Sequence, residues 1–136
     1  MIQGIGHDIV DIARVRRILE GQAGARFLAR ILTPAEQSCA RARGEARLAE
    51  FVSGRFAAKE AVVKALGCGI GAHAGFGDIE IMPDALGRPA CRLSARTRHS
   101  LGLPEAEVTV HVTITHERLL ASAFAIAERH QGRSYS

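Results

Sequence analysis

The 136-residue chain contains no Trp, one Tyr and five Phe, so aromatics make up only 4% of it. Platforms that stack the bases of single-stranded nucleic acid need aromatic side chains, so that class of partner is disfavoured. Duplex binding through phosphates is not excluded by composition. No run of 18 apolar residues occurs, which leaves no candidate transmembrane helix. Met1-Ile2-Gln3-Gly4-Ile5-Gly6-His7-Asp8 lacks the basic start and apolar core of a signal peptide. The three cysteines, Cys39, Cys68 and Cys91, are odd in number and share no ligand spacing. They read as reduced thiols, and the expected location is the cytoplasm. Repeats, linkers and low-complexity stretches are missing too, so a single domain over residues 1–136 is expected.

What is present is an ordinary globular mix, 47% hydrophobic and 24% charged. The net charge is +4 and the pI about 9.5. A basic balance suggests an anionic partner: nucleic acid, a membrane surface, an acidic protein or a phosphorylated cofactor.

The organising stretch is Arg55 to Leu66, the second half of a helix expected from near Glu45 to a stop at Gly67. Ala, Glu, Lys, Arg and Leu dominate it and no Pro interrupts it. At 100° per residue, Leu48, Val52, Phe56, Val63 and Leu66 make one broad apolar side. Ala57, Ala58, Ala61 and Ala65 make a second side with little bulk, so burial by two neighbours is expected. Glu60 and Lys64 lie four apart on the border. They are either an ordinary helical ion pair, worth about 0.2–0.5 kcal/mol, or a functional pair.

Ile2 to Val10 reads as a strand in which Ile2, Gly4, Gly6 and Asp8 share a face. Two glycines on one face mean that another backbone or a ligand comes close. Asp11 suits the N-cap of the next helix, near Asp11 to Leu19, which leaves Asp8 without a structural task. That helix carries Arg14, Arg16 and Arg17; after the turn at Gly21 and Gly24 come Arg26 and Arg30. These arginines are either a solvated face or a docking surface for an acidic partner. Thr33, Pro34 and Glu36 fit the N-cap, N1 and N3 positions of a helix to about Arg43.

Gly67, Gly69, Gly71, Gly75 and Gly77 crowd one loop, with His73 inside it. The loop follows a helix rather than a strand, so it is not a dinucleotide fingerprint. It is either a plain surface loop or one whose backbone N–H groups meet an anion. Asp78 to Met82 and Ala90 to Leu93 read as a hairpin. Ser94 caps a short helix through Leu101. Val108 to Thr115 is a strand with Val108, Val110, Val112 and Ile114 inward, and His116 follows at its end. Leu119 to Ala127 is expected to run back as a strand. Its alanines, Ala121, Ala123, Ala125 and Ala127, would pack on those of the long helix. Gln131 to Ser136 reads as a frayed tail.

Asp8 and Glu60 form a two-carboxylate set, which is stable when a cation sits between them. Mg²⁺ suits one or two carboxylates completed by water and phosphate oxygens. Lys64 would reach the same phosphates as a point charge and proton donor, a combination that describes phosphoryl-group chemistry. His116 is a general base, a group behind the ligands, or a plain turn histidine.

Gly4-Ile5-Gly6-His7-Asp8-Ile9 and Arg55-Phe56-Ala57-Ala58-Lys59-Glu60-Ala61-Val62-Val63-Lys64-Ala65 resemble the two signature motifs of the 4′-phosphopantetheinyl transferases. The likeness is greatest to the short, single-domain holo-acyl-carrier-protein synthases, and further stretches from Phe27 to His116 have counterparts in order. The resemblance implies transfer of the phosphopantetheine arm of coenzyme A to a serine of apo acyl carrier protein, with Mg²⁺ as cofactor. It implies an α+β fold, with an antiparallel sheet packed on one long helix. Asp8 and Glu60 match the metal ligands, and Lys64 the lysine at the diphosphate. His116, Arg55 and the loop Gly67, Gly69 and Gly71 match regions near coenzyme A. Arg14 and Arg26 match basic positions that meet the acidic carrier protein. Short members form trimers with active sites between protomers. Nucleic acid and membrane are not expected partners. The base that takes the serine proton is left open among Glu60, His116 and a metal-bound water. A non-catalytic coenzyme A or nucleotide-binding module is the alternative.

Overall fold

Two glycines decide how closely the core can be assembled. The structure, a computed structural model, describes residues 1–130. The tail expected at Gln131 to Ser136 lies outside the described residues. In chain order the elements are β1 (Ile2–Asp11), α1 (Ile12–Glu20), α2 (Gly24–Ile31), α3 (Pro34–Arg43), α4 (Leu48–Leu66), β2 (Ile79–Pro83), β3 (Pro89–Leu93), α5 (Ala95–Leu101), β4 (Val108–His116) and β5 (Leu120–Arg129). A Cβ on Gly4 would fall 2.0 Å from the Ala65 carbonyl oxygen, and one on Gly6 1.8 Å from that of Ala61. The bare face of β1 is thus closed by the backbone of α4 rather than by a ligand. A register shift between Ile2 and Gly4 breaks the expected alternation, and Ile2 is exposed.

The fold is α+β, with β1, β5 and β4 in an antiparallel sheet in that order. β5 is the centre strand, and its Ala121, Ala123, Ala125 and Ala127 are buried. They face α4, whose Ala57, Ala58 and Ala61 are fully buried. Alanine on both sides lets helix and sheet approach closely. It also explains why a composition that suits a helix forms a strand: pairing on both edges outweighs intrinsic propensity. Lys64 is the one exposed residue of α4; the rest of the helix is buried or half-buried. α4 is therefore enclosed nearly all round, as expected for a helix apolar on more than one face.

Local signals place the helix ends. The Asp11 side chain accepts from the amides of Ala13 and Arg14, so it is the N-cap of α1. Thr33 and Glu36 form a full capping box with Pro34 at the start of α3. Ser94 caps α5 through the Thr97 amide. Gly67 ends α4 at φ 77°, and the Cys68 amide reaches back to the Val63 carbonyl. Glu45–Arg47 is a separate 3-10 turn ahead of α4, so the helix proper starts three residues later than expected.

α2 occupies a stretch in which the sequence reading saw only a turn and two arginines. Ala23 at its start makes no side-chain cap, and Gly24 is there because a Cβ would meet the Leu19 carbonyl oxygen at 2.1 Å. Both features conceal a helix start. β2 and β3 pair as the expected hairpin and form a separate two-stranded sheet.

Candidate active site

The glycine approach of β1 to α4 sets the register of everything after it. Two residues beyond Gly6, Asp8 arrives beside the exposed turn of α4. Its carboxylate Oδ1 lies 3.4 Å from Lys64 Nζ, and Lys64 donates to the His7 carbonyl oxygen at 2.9 Å. Lys64 therefore pairs with Asp8 rather than with Glu60, which corrects the reading of Glu60–Lys64 as a helical ion pair. The physical reason is the strand: it brings an acceptor pair across α4 that is nearer than the neighbouring turn.

Glu60 shares a cleft of about 290 Å³ with Asp8 and Arg14. Ile9, Val15, Phe27 and Phe56 give that cleft apolar walls. Burial holds the Glu60 carboxyl above its usual range; the Asp8 charge adds to this, and Lys64 works against it. Two carboxylates that share a cleft are a donor set suited to a hard cation. No group of three or more His, Cys, Asp or Glu is gathered for a metal among the described residues. Two carboxylates in an open cleft still fit Mg²⁺, which keeps several waters and takes substrate phosphate oxygens.

A second cleft of about 430 Å³ lies at the other end of α4. Arg43, Arg47 and Arg55 line it with Glu50, Gly54 and His116. His116 Nδ1 stands 3.9 Å from a Glu50 carboxylate oxygen. Arg55 is almost fully buried, with its guanidinium 4.2 Å from the Phe51 ring centroid and its Nε donating to the Ile81 carbonyl oxygen at 3.1 Å. Within one chain, then, His116 and Arg55 share a cleft. Asp8, Glu60 and Lys64 are gathered elsewhere, so the structure does not bring the expected catalytic trio of Glu60, Lys64 and His116 together.

Gly67, Gly69 and Gly71 leave α4 just after Lys64 and are open: a Cβ on any of them would meet nothing within 4 Å. Arg14 and Arg26 are exposed on α1 and α2, and neither has a carboxylate partner among the described residues. Arg14 borders the carboxylate cleft; Arg26 does not.

Sequence reasoning missed Arg43, Arg47 and Glu50 as cleft residues. Arg43, Arg47 and Glu50 recur at spacings of four and three, a signal that was visible but resembles an ordinary solvated face. Lys59 was missed as well. It is fully buried and bonded to Glu36 Oε1 at 2.6 Å. Its place four residues after Arg55, inside a run of buried alanines, marked it as an internal cation.

Comparison with known proteins agrees with this architecture. The family described as the 4'-phosphopantetheinyl transferase superfamily matches residues 4–123. A protein of Geobacillus kaustophilus (strain HTA426) named holo-[acyl-carrier-protein] synthase is 47% identical over 129 residues, which is 95% of this chain and 91% of that protein. A solved holo-(acyl-carrier-protein) synthase from Bacillus anthracis str. Ames, in complex with CoA (3',5'-ADP), superimposes with a TM-score of 0.79. It is 39% identical, and the match covers 96% of this chain and 99% of that one. The holo-[acyl-carrier-protein] synthase structure from Neisseria meningitidis gives a TM-score of 0.82 at 37% identity, over 95% of this chain and all of that one. With its two signature motifs, its helix-on-sheet core and these full-length likenesses, the chain belongs to the 4′-phosphopantetheinyl transferase superfamily.

Proposed function

We propose that this chain transfers the 4′-phosphopantetheine arm of coenzyme A to a serine of apo acyl carrier protein, releasing adenosine 3′,5′-bisphosphate. This is the reaction of a holo-[acyl-carrier-protein] synthase, and it serves fatty acid biosynthesis. The observation that carries the reading is the meeting of Asp8, Glu60 and Lys64 at one exposed turn of an otherwise enclosed helix.

Asp8 and Glu60 would hold Mg²⁺, which would offset the charge of the diphosphate. Lys64 sits beside that pair and neutralises or protonates the departing phosphate oxygen. Asp8 and the His7 carbonyl oxygen hold the ammonium of Lys64 in place for this task. Glu60, His116 and a water held at the site are the candidates to take the serine proton. Arg43, Arg47 and Arg55 offer three guanidiniums to the phosphates of the adenosine end, with His116 beside them. Gly69 offers a backbone amide without side-chain hindrance, while the Gly67 and Gly71 amides donate to the Lys64 and Ala74 carbonyl oxygens.

Arg14 at the rim of the carboxylate cleft and Arg26 on α2 would meet the acidic carrier protein by charge complementarity. The apolar walls beside Asp8 and Glu60 suit an apolar side chain flanking the target serine. A homotrimer with sites between protomers is supported by the outer face of the sheet. There Ile5, Ile9, Leu120 and Phe124 are exposed side by side, with His7 stacked on Phe124 at 4.1 Å between ring centroids. A contiguous apolar face of this kind marks an interface. Assembly would also let the arginine cleft of one copy meet the carboxylates of another. No helix of the described residues is long and apolar enough to cross a membrane, and work in the cytoplasm suits the free cysteines.

The decisive experiment is intact-mass spectrometry of an apo acyl carrier protein incubated with this protein, coenzyme A and Mg²⁺. The expected result is a gain of one phosphopantetheine that EDTA abolishes. No gain with folded protein and bound coenzyme A would leave a binding module instead.

A further inference from the structure

Lys59 and Glu36 are both fully buried, and no step of the transfer uses either. Every donor of the ammonium is satisfied: Lys59 Nζ donates to Glu36 Oε1 at 2.6 Å, to the Ile31 carbonyl oxygen at 2.7 Å and to the Phe76 carbonyl oxygen at 3.0 Å. Glu36 also accepts from the Thr33 amide at 2.8 Å and from the Ile81 amide at 2.9 Å. Arg55, one turn earlier on α4, takes the Ile81 carbonyl oxygen. Both backbone polar groups of Ile81 are thus bound by charged side chains of α3 and α4. One ion pair joins the end of α2, the start of α3, the middle of β2 and the far end of the glycine loop to a single point on α4.

A buried pair of this kind is weak evidence for stability, because apolar residues of similar volume serve a core as well or better. What apolar residues lack is direction. Hydrogen bonds to four separate segments fix where those segments sit along α4, one residue before Glu60 and five before Lys64. The loop is tied from its other side by α5: buried Thr97 donates to the His73 carbonyl oxygen at 2.7 Å, and Arg96 to that of Ala72 at 2.8 Å. Asp78 accepts the Gly75 amide at 2.8 Å. The second half of the loop is therefore held from two directions, while at Gly67, Gly69 and Gly71 the space a side chain would fill is open.

We propose that the Lys59–Glu36 pair is a positioning device for the coenzyme A site, setting the height of the glycine loop and of β2 against Glu60 and Lys64. This rests on the reading that Arg55 and the loop meet coenzyme A. Lys59 and Glu36 touch no substrate and act through the segments they hold.

The test is Lys59→Met/Glu36→Leu, which removes both charges and leaves no lone buried ion. Calorimetry with coenzyme A alone reads binding apart from turnover, and transfer kinetics give the carrier-protein KM. Because small misplacements of binding groups are costly, the coenzyme A Kd is expected to rise about tenfold. The carrier-protein KM should stay within roughly twofold, since Arg14, on α1, makes no hydrogen bond to Lys59, Glu36 or the segments they hold. Amides of residues 67–77 should exchange faster with solvent than those of α4. A double variant that binds coenzyme A like the wild type overturns the proposal. Glu36→Gln is the second variant: it keeps an acceptor for Lys59 but removes its counter-ion and turns an NH₂ toward the Ile81 amide. Its coenzyme A Kd should rise about threefold, a smaller misplacement than in the double variant, and an unchanged Kd again overturns the proposal. A wild-type protein that fails to bind coenzyme A overturns both this inference and the reading beneath it. Wild-type binding with unchanged variants overturns this inference alone.

Discussion

Helix α4 carries two lysines five residues apart, and each faces a carboxylate from another element. Lys59 and Glu36 meet at 2.6 Å with no solvent exposure on either side chain. Lys64 and Asp8 meet at 3.4 Å, with the lysine side chain about half exposed. The first pair has every donor satisfied by protein. The second leaves much of its ammonium free for something else. The same two charges, on the same helix, close on each other when dry and leave the lysine accessible to a ligand when wet. The dielectric around the pair decides which, because desolvation makes an unpartnered charge costly in the interior and cheap at the surface.

Breaking each pair should expose this difference. Lys59→Met alone leaves Glu36 charged and buried, so a loss of about 3–5 kcal/mol is expected in chemical denaturation. That is enough to unfold a marginal domain, and a loss below about 1 kcal/mol would mean that the pair is not dry. Asp8→Ala should cost little stability but reduce turnover to background, read by the mass gain of the carrier protein. Near wild-type turnover at limiting Mg²⁺ would remove Asp8 from the metal site. Lys64→Ala should lower kcat about a hundredfold, the scale of one lost transition-state contact. The carrier-protein KM should barely move, and a change confined to that KM would place Lys64 in docking instead. Arg14→Glu should do the reverse, raising the carrier-protein KM about tenfold with an effect that shrinks in high salt.

The smallest effect concerns Glu60. Its carboxyl is held above the ordinary 4.5 by burial and then by Asp8, so the folded protein keeps this proton to higher pH than the unfolded chain does. The contribution of Glu60 to stability therefore falls as pH rises from about 4.5 through the raised value. Glu60→Gln should flatten that fall in metal-free buffer, by roughly 2 °C of melting temperature at its upper end. Equal pH profiles for the two proteins would show that Glu60 carries no such strain.

Much of the local structure was legible in the chain. Asp11, Thr33 with Glu36, Ser94 and Gly67 fixed helix ends through short-range hydrogen bonds or a left-handed φ, which depend only on near neighbours. The alternation of alanine in β5 and of glycine in β1 predicted close packing before any partner was known, because a missing side chain is itself a constraint on distance. Asp8 stood out by having no local task, and the motifs Gly4 to Ile9 and Arg55 to Ala65 carried the family resemblance. α2 was not legible, since its start has no side-chain cap and opens on Gly24, which reads as a turn.

Tertiary structure alone decided who pairs with whom. Glu36 reads in the chain as the third residue of a capping box, and it is one; only the fold adds Lys59 and the Ile81 amide to the same carboxylate. Lys64 reads as a partner for Glu60, and only the arrival of β1 gives it Asp8. His116 reads as part of one catalytic group, and the sheet carries it to a separate cleft with Arg43, Arg47 and Arg55. Spacing along a chain fixes neighbours within a helical turn or a strand pleat. Burial and charge pairing depend on segments that are distant in sequence, so they are settled only when those segments pack.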